Sequence, residues 1–391
     1  MTQFTFNTTR SIHQEVGGAN RFGELAKNYL WKSGVKPRIM LVTDPGIVSL
    51  GLEQGVLASL KLVGAEVFLF NEVMADPPQA TVLNAVKLAK EYGINAVVGF
   101  GGGSSMDVAK LVALLAISKQ EIEEIYGIGL AKGERLPLAM IPTTAGTGSE
   151  VTTVSIVTTG EFEKKGVVSP LLLPDLALLD AELTLGLPPH TTATTGVDAM
   201  VHAIEAFTSK NANNNPISKI LAKQALELLG ANIREAVFNG SNIKARTNML
   251  LGSMLAGQAF ANSPVGAVHA LAYPIGGLFH VSHGLSNALV LPHVLRFNAD
   301  LCASQYAELG PIIFPELASV HSPHDVCDLL INKIASLSSE LGLEATLTEV
   351  GIKSSDLDNL VANAMRQTRL LGNNPREVSA VDARDIYSHA L

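Results

Sequence analysis

The chain is poor in cysteine and in long apolar runs, and each shortage excludes a class of protein. Only two cysteines, Cys302 and Cys327, occur in 391 residues. They are too few for a disulfide framework, and their spacing matches no metal motif. No apolar stretch approaches the 18 or so residues of a membrane span, and the amino-terminal segment lacks the apolar core of a signal peptide. We therefore expect a cytoplasmic protein that does not bind membranes.

Basic residues are also few. The 28 lysines and arginines are outnumbered by 36 acidic residues, so the net charge is -8, and there is no basic stripe. An acidic surface disfavours binding to nucleic acid. Apolar residues make up 47% of the chain and charged residues only 16%, which favours extensive helix packing and a buried subunit interface. We expect a homo-oligomer, specifically a dimer.

The length and the pattern of apolar segments predict two domains. Between residues 36 and 185, the strand-like runs RIMLVTD, AEVFLF, NAVVGFGGG and PLAMIPTT alternate with helical stretches, as in a parallel sheet. After about residue 190, long Ala- and Leu-rich amphipathic segments indicate a helical bundle. Pro188 and Pro189 interrupt the pattern between the two. The fold class is α/β plus all-α, with a Rossmann-like nucleotide-binding domain over 1–187 and a helical domain over 188–391.

A glycine-rich turn joins a strand to a helix in NAVVGFGGGSSMDVAK. Gly101, Gly102 and Gly103 would let the backbone approach a phosphate, and the free amides from about Ser104 onward would stabilise its charge. Asp107, one turn into the helix, would brace the loop through its amides. The alternative is a turn with no ligand.

An acidic residue precedes this loop rather than following it, unlike the usual Rossmann order. Asp44 ends the first strand and would hydrogen-bond a ribose and repel a 2′-phosphate, which favours NAD over NADP; alternatively, it only forms a turn with the Pro-Gly pair after it. A second loop, IPTTAGTGSE, carries hydroxyl groups suited to polar ligand contacts. Its hydroxyl residues are Thr143, Thr144, Thr147 and Ser149.

One carboxylate and three imidazoles have the spacing of a metal site. Asp198 and His202 lie one helical turn apart in GVDAMVHAIEAF. His269 and His283 bracket a segment whose Pro274, Gly276 and Gly277 would let the chain turn back. The alternative is an ordinary set of surface or core residues.

Several motifs in order along nearly the whole chain resemble the iron-containing (group III) alcohol dehydrogenase family. They are GGGSSMD, PTTAGTGSE, GVDAMVHAIEA, HALAYPIGGLFHVSHG, LPHVLRFN and NPRE. The resemblance implies a dehydroquinate synthase-like fold, with a nucleotide-binding α/β domain, an all-helical domain and the active site in the cleft between them.

Carried over by motif, Asp198, His202, His269 and His283 match the family's metal ligands. The metal is usually Fe2+ and sometimes Zn2+. Four protein ligands already complete a tetrahedron, so binding an alcohol oxygen favours iron, which accepts more ligands. The glycine loop with Ser104 and Asp107, the threonine loop and Asp44 match cofactor contacts, and Lys164 resembles a lysine near the cofactor ribose.

The chain departs from the family at one position. Many members have a histidine four residues after the third ligand, where it relays the alcohol proton, and this chain has Tyr273. A phenol is a poorer base at neutral pH. His280, three residues before His283, is a candidate substitute. Both residues are therefore catalytic candidates, with a structural role as the alternative for each.

The predicted function is NAD-linked, metal-dependent interconversion of a small primary alcohol or diol and its aldehyde. The absence of arginine from HALAYPIGGLFHVSHG favours neutral alcohols. The alternatives are a hydroxyacid/oxoacid or maleylacetate-type reductase, a dehydroquinate synthase-like lyase, and an NAD-binding subunit without catalysis.

Overall fold

A computed structural model of the chain describes residues 3–31, 34–160 and 163–391. They form two compact units. One unit comprises Asn7–Thr144 and Gly148–Leu185, and the other comprises the residues through Phe6, Ala145–Thr147 and Gly186–Leu391. No helix in the described ranges is both long and apolar enough to cross a bilayer.

The first unit contains the described strands. In chain order these are β1 (Ile12–Gln14), β2 (Arg38–Val42), β3 (Glu66–Phe70), β4 (Ala96–Gly101), β5 (Gly127–Ile128), β6 (Leu138–Pro142), β7 (Val154–Thr159), β8 (Glu163–Val168) and β9 (Leu176–Leu179). Six of them form a parallel sheet in the order β1-β9-β6-β4-β2-β3, and β5-β8-β7 form a small second sheet. The four strands predicted from apolar runs are confirmed as β2, β3, β4 and β6, whereas β1, β9 and the small sheet were not predicted.

Helices cover both faces of the larger sheet. They are α1 (Phe22–Leu30), α2 (Pro45–Ser49), α3 (Gln54–Leu62), α4 (Gln79–Glu91), α5 (Gly103–Leu115) and α6 (Ile122–Ile125). Alternate residues of β2 enter opposite cores: Ile39 and Leu41 pack with α1 and α3, while Met40 and Val42 pack with α4 and α5. Burial on both faces explains why β4, AVVGFG, is buried throughout.

The strand order reverses between β2 and β4. From β2 the chain adds β3 on one side, and it then crosses back to place β4, β6 and β9 successively on the other side. In open parallel sheets, ligands bind outside the carboxyl ends of the strands at such a reversal. Thr43 and Asp44 follow β2, and Gly102 follows β4, so both predicted cofactor segments start at this point.

The second unit is a helical bundle. Its helices are α7 (Pro189–Thr208), α8 (Pro216–Phe238), α9 (Ile243–Asn262), α10 (Ala267–Phe279), α11 (His283–Ile313), α12 (Pro323–Glu340), α13 (Leu357–Ala364), α14 (Thr368–Leu371) and α15 (Ala380–Ala390). Helix α7 packs against α8, α9 and α11. From Thr192 to Thr208 every α7 residue except Thr195 is buried. The predicted fold class, a parallel α/β unit and a helical unit, is confirmed.

The chain reversal between His269 and His283 lies later than predicted. The proline and glycines of YPIGG stay inside α10, which continues to Phe279. The helix ends at His280, whose backbone is left-handed (φ 56°) and whose amide donates to the carbonyl of Gly276. One internal proline removes a single intrahelical bond, and the packing of α10 against α11 and α13 keeps the remaining turns helical.

Candidate active site

Three ionisable side chains follow one stripe of the buried helix α7. Asp198, His202 and Glu205 stand at positions i, i+4 and i+7, and each residue is at most 6% exposed. This spacing puts them on the same helix face. Burying such groups is costly unless other groups compensate them, so the environment of this face must supply polar partners.

Helices α10 and α11 supply those partners. His269 lies in the first turn of α10 and His283 is the first residue of α11. One ligand atom from each of Asp198, His202, His269 and His283 lies within 4.8 Å of all the others. The structure therefore brings together the four residues that the sequence predicted as metal ligands.

A glycine allows α11 to approach α7 this closely. A Cβ atom on Gly284 would lie 2.4 Å from the backbone carbonyl oxygen of Thr194, on α7. That distance is far below van der Waals contact. Only glycine therefore permits the helix crossing that places His283 Nε2 3.6 Å from Asp198 Oδ1.

The charges within the cluster are interdependent. Burial alone would raise the pKa of Asp198, but the nearby histidines, with His202 first, lower it below its ordinary value. Burial lowers the pKa of His202 to about 3, against the opposing effect of Asp198. At neutral pH the site thus presents an ionised carboxylate beside a neutral imidazole, and these are the protonation states that metal ligation requires.

The donor set fits a divalent transition metal. Three imidazoles and one carboxylate suit iron or zinc. The buried Nδ1 of His202 has no hydrogen-bond partner among the described residues, although it lies 3.9 Å from Asp198 Oδ2. A metal ion would engage a nitrogen that is otherwise left uncompensated. Sequence reasoning missed Asn287, whose Nδ2 lies 2.6 Å from Asp198 Oδ1 and within 3.3 Å of Nε2 of both His269 and His283.

Apolar rings flank the cluster. Phe260 stacks on His202 with ring centroids 4.4 Å apart and planes 17° apart, and the Tyr273 ring lies 5.9 Å from that of His283. Both rings are partly buried and pack against a small buried apolar group, Val265, Ala270 and Leu370. The structure thus brings Tyr273 to the cluster. It places His280 as the exposed residue that ends α10.

In the α/β unit, Asp44 lies next to the glycine loop. Asp44 is the N-cap of α2 and accepts from the amide of Ile47, and its Oδ2 lies 3.4 Å from Ser105 Oγ. Gly101 has φ +145°, and a Cβ there would lie 3.3 Å from Asp44 Oδ2. A larger side chain would therefore fill the space between the acid and the loop. Gly103 and Ser104 start α5.

The two adjoining threonines of the second loop lie beside the first loop. The Thr143 amide donates to the carbonyl of Gly101, and Thr144 Oγ1 would lie 3.7 Å from a Cβ on Gly102. Thr147 belongs to the short segment grouped with the helical unit. Lys164 on β8 forms an ion pair with Asp76, 2.5 Å apart.

The prediction that Asp107 braces the glycine loop was wrong. Its carboxylate accepts from Ser149 Oγ at 2.8 Å and from the amide of Ile156 at 2.8 Å. It therefore contacts the second loop and β7, and not the amides of the glycine loop. Burial raises its pKa, against the effect of Lys110. Sequence periodicity did not predict this, because both partners lie more than 40 residues away.

Sequence reasoning also missed a buried lysine that joins α5 to the second loop. Lys110 is fully buried and donates to Ser149 Oγ, Thr152 Oγ1 and the carbonyl of Val154, at 2.8–3.0 Å. Its three donors are therefore satisfied. Burial lowers its pKa to about 8, opposed by Asp107 and Glu150. A lysine at an apolar position of the helix VAKLVALL was the available signal.

Comparison with known proteins gives a consistent result over both units. Residues 9–181 match the family profile of iron-containing alcohol dehydrogenase, and residues 192–391 match the C-terminal profile of the same family. Long-chain-alcohol dehydrogenase 1 of Geobacillus thermodenitrificans is 39% identical over 356 residues, which cover 90% of this chain and 89% of that protein.

Two solved structures are similar over the whole chain. A 1,3-propanediol oxidoreductase superposes with a TM-score of 0.94 at 31% identity, covering 100% of both chains. Sulfoacetaldehyde reductase from Bifidobacterium kashiwanohense, solved in complex with NAD+, superposes with a TM-score of 0.87 at 28% identity, covering 100% of this chain and 99% of that one.

Glu150 makes the stability of the α/β unit depend on pH. Burial raises its pKa to about 7 in the folded state, so the folded state retains a proton that the unfolded state loses near pH 4.5. Its contribution to stability is complete below pH 4.5 and is lost as pH rises through 7. We expect E150Q to gain about 3 kcal/mol relative to the wild type between pH 4.5 and pH 7.5 in urea unfolding. The control is E227Q, at an exposed glutamate, which measures the effect of a Glu-to-Gln substitution without burial. A constant difference between E150Q and the wild type would contradict the expectation.

Gly284 should be needed for the cluster geometry. G284A forces its new methyl against the Thr194 carbonyl, which should move His283 away from Asp198. We expect metal binding to weaken at least about tenfold, with a loss of stability of about 1–3 kcal/mol. The control is G310A, in the same helix, whose Cβ would lie 2.7 Å from Val326 Cγ1. It should lower stability only. Equal metal affinity in G284A and G310A would show that the close crossing is not required.

Proposed function

The chain belongs to the iron-containing alcohol dehydrogenase family, and we propose that it interconverts a small primary alcohol or diol and its aldehyde with NAD as the hydride carrier. The family predicted from the motifs is thereby confirmed, as is the prediction of an oxidoreductase of the alcohol dehydrogenase type. The observation that carries the proposal is the convergence of one carboxylate and three imidazoles within 4.8 Å.

We propose that Asp198, His202, His269 and His283 hold Fe2+, with Zn2+ as the alternative. The bound metal supplies Lewis acidity that lowers the pKa of the alcohol oxygen, and NAD supplies the carbon that accepts a hydride. The four side chains together contribute one negative charge, since only Asp198 is anionic. These ligands would offset only part of the charge of a divalent ion, and the remainder would favour deprotonation of the alcohol.

The apolar rings beside the cluster support a neutral substrate. Phe260 and Tyr273 give the site a partly buried hydrophobic wall, which packs against the buried Val265 and Leu370. Such a wall excludes water and favours the alkyl portion of a primary alcohol. Similar proteins are named for a long-chain alcohol, 1,3-propanediol and sulfoacetaldehyde, so the substrate panel should span these three chemistries.

The α/β unit would bind the cofactor. We propose that Asp44 contacts the adenosine ribose and that the glycine loop with Ser104 receives the pyrophosphate. In this proposal, the threonine loop with Thr147 and Ser149 contributes further polar contacts, Asp107 orders that loop, and Lys164 approaches the second ribose.

We further propose domains at 1–187 and 188–391, a homodimer, and action in the cytoplasm, where Cys302 and Cys327 stay reduced.

His269 should be required for metal content and turnover together. We expect anaerobically purified wild type to carry about one metal per chain and to form NADH from primary alcohols or 1,3-propanediol, or to consume NADH with sulfoacetaldehyde. H269A should lose both the metal and the turnover, because one of four ligands is gone. His324 is an exposed histidine outside the cluster, and H324A should retain both the metal and the turnover. Full activity in H269A with stoichiometric metal would refute the ligand assignment.

Tyr273 is proposed as the group that relays the alcohol proton. Y273F removes the hydroxyl and keeps the ring, so kcat for alcohol oxidation should fall about 100-fold while metal content is unchanged. Y273H, which restores a titratable group, should recover activity with a different pH profile. The relay is disproved if Y273F keeps the wild-type kcat; the ring would then only form the wall, and the exposed His280 would be tested next.

A further inference from the structure

Glu205 is a buried residue beside the four proposed metal ligands and the start of α10. It lies on the α7 stripe three residues after His202 and is 6% exposed. Its Oε2 lies 2.6 Å from Nδ1 of His269, and its Oε1 accepts from the backbone amide of Val268 at 2.7 Å. Both carboxylate oxygens therefore contact the first turn of α10.

This contact determines which nitrogen of His269 carries the proton. A carboxylate only accepts hydrogen bonds, so Nδ1 of His269 must be the donor. In the neutral imidazole this leaves the lone pair on Nε2. Nε2 is also the nitrogen near the other donors, since it lies 3.3 Å from Asn287 Nδ2, which itself contacts Asp198.

We propose that Glu205 is a positioning residue that holds His269 in the Nδ1-protonated tautomer and in the ring orientation that directs Nε2 at the metal. The inference rests on the proposed function and deepens it by identifying the group that prepares one ligand before metal binds. A carboxylate on the outer nitrogen of a ligating histidine fixes the ring and raises its basicity.

Glutamine at this position would not reproduce the arrangement. The two donors, Val268 N–H and His269 Nδ1–H, require two acceptors, and a carboxamide offers one acceptor oxygen and one donor nitrogen. If the amide nitrogen faces His269, the ring proton must move to Nε2, where it blocks ligation. If it faces Val268, two donors meet and a buried amide loses its partner, so the first orientation is favoured. Either outcome weakens the site although the volume is unchanged.

The test uses Zn2+ as a diamagnetic probe and measures two properties that need no substrate. The first is the Zn2+ dissociation constant, from competition with a chromophoric chelator. We expect E205Q to bind Zn2+ 10- to 100-fold more weakly than the wild type. The second is the protonation of His269, from 15N–1H correlations of 15N-histidine-labelled protein assigned with H269A. We expect the wild type to show a proton on Nδ1 of His269, and E205Q to lose this signal.

The control is E344Q. Glu344 also contacts a histidine, with Oε2 3.0 Å from His190 Nε2, but it lies outside the cluster. E344Q should keep the wild-type Zn2+ affinity. The variant E205D keeps a carboxylate, so it should show an affinity between those of the wild type and E205Q. If E205Q does not fold, the wild-type spectrum and E205D still decide the matter.

Three outcomes would overturn the proposal. They are an Nε2-protonated His269 in the metal-free wild type, an unchanged Zn2+ affinity in E205Q, and weaker binding with unchanged His269 signals, which would assign the loss to packing alone. The proposed function fails separately, if the wild type binds metal but transfers no hydride. In that case the tautomer and the affinity still report on Glu205.

Discussion

Helix α7 buries the carboxylate of Asp198, which is 2% exposed, and the packing of α7, α10 and α11 depends on how that charge is compensated. An isolated buried carboxylate would take up a proton, because desolvation opposes its ionisation. The pKa of Asp198 is instead lowered, through the histidines around it. His202 lies on α7 itself, whereas His269 and His283 come from α10 and α11, so these two helices must both approach α7 closely. The glycine at position 284 is the local consequence.

The same reasoning applies in the α/β unit, with the opposite charge. Lys110 is an ammonium group in a helix face that otherwise holds apolar side chains, and its three donors must find acceptors. It finds them on Ser149, Thr152 and the carbonyl of Val154. An irregular segment is thereby fixed to a regular helix. The buried charge of Lys110 requires these acceptors, and its hydrogen bonds fix the geometry of the loop that is proposed to contact the cofactor. A loop fixed before the cofactor binds is consistent with pre-organised binding.

Features encoded by local spacing were predictable from the sequence, whereas those that depend on distant contacts were not. The i, i+4 pair of Asp198 and His202, the strand preceding the glycine loop and the change to helices after residue 190 all follow from short-range periodicity. The direction of the Asp107 carboxylate does not, since its partners lie 42 and 49 residues further along the chain.

The predicted position of the chain reversal was wrong for a related reason. Proline and two glycines are the strongest local signals for a break, yet Pro274 lies inside α10, where tertiary packing outweighs propensity. The break then falls at His280, a non-glycine residue in the left-handed region. This placement separates the two candidate proton relays: Tyr273 stays on the helix next to His283, and His280 becomes an exposed cap.

The carboxy-terminal motif NPRE, which carries part of the family resemblance, belongs to the same arrangement through α10. Asn374 and Asn298 exchange two side-chain hydrogen bonds at 2.8–3.0 Å, and Asn374 Oδ1 also lies 3.4 Å from the backbone amide of Ala267. Glu205 receives the next amide along, that of Val268. The first amides of a helix have no intrahelical acceptor, and here side chains from α7 and from the NPRE segment provide acceptors. His269 is the next residue, so two segments far apart in sequence determine the position of its side chain. A segment near the carboxyl terminus thus constrains the cluster that is proposed to bind metal, although it contributes no residue to that cluster.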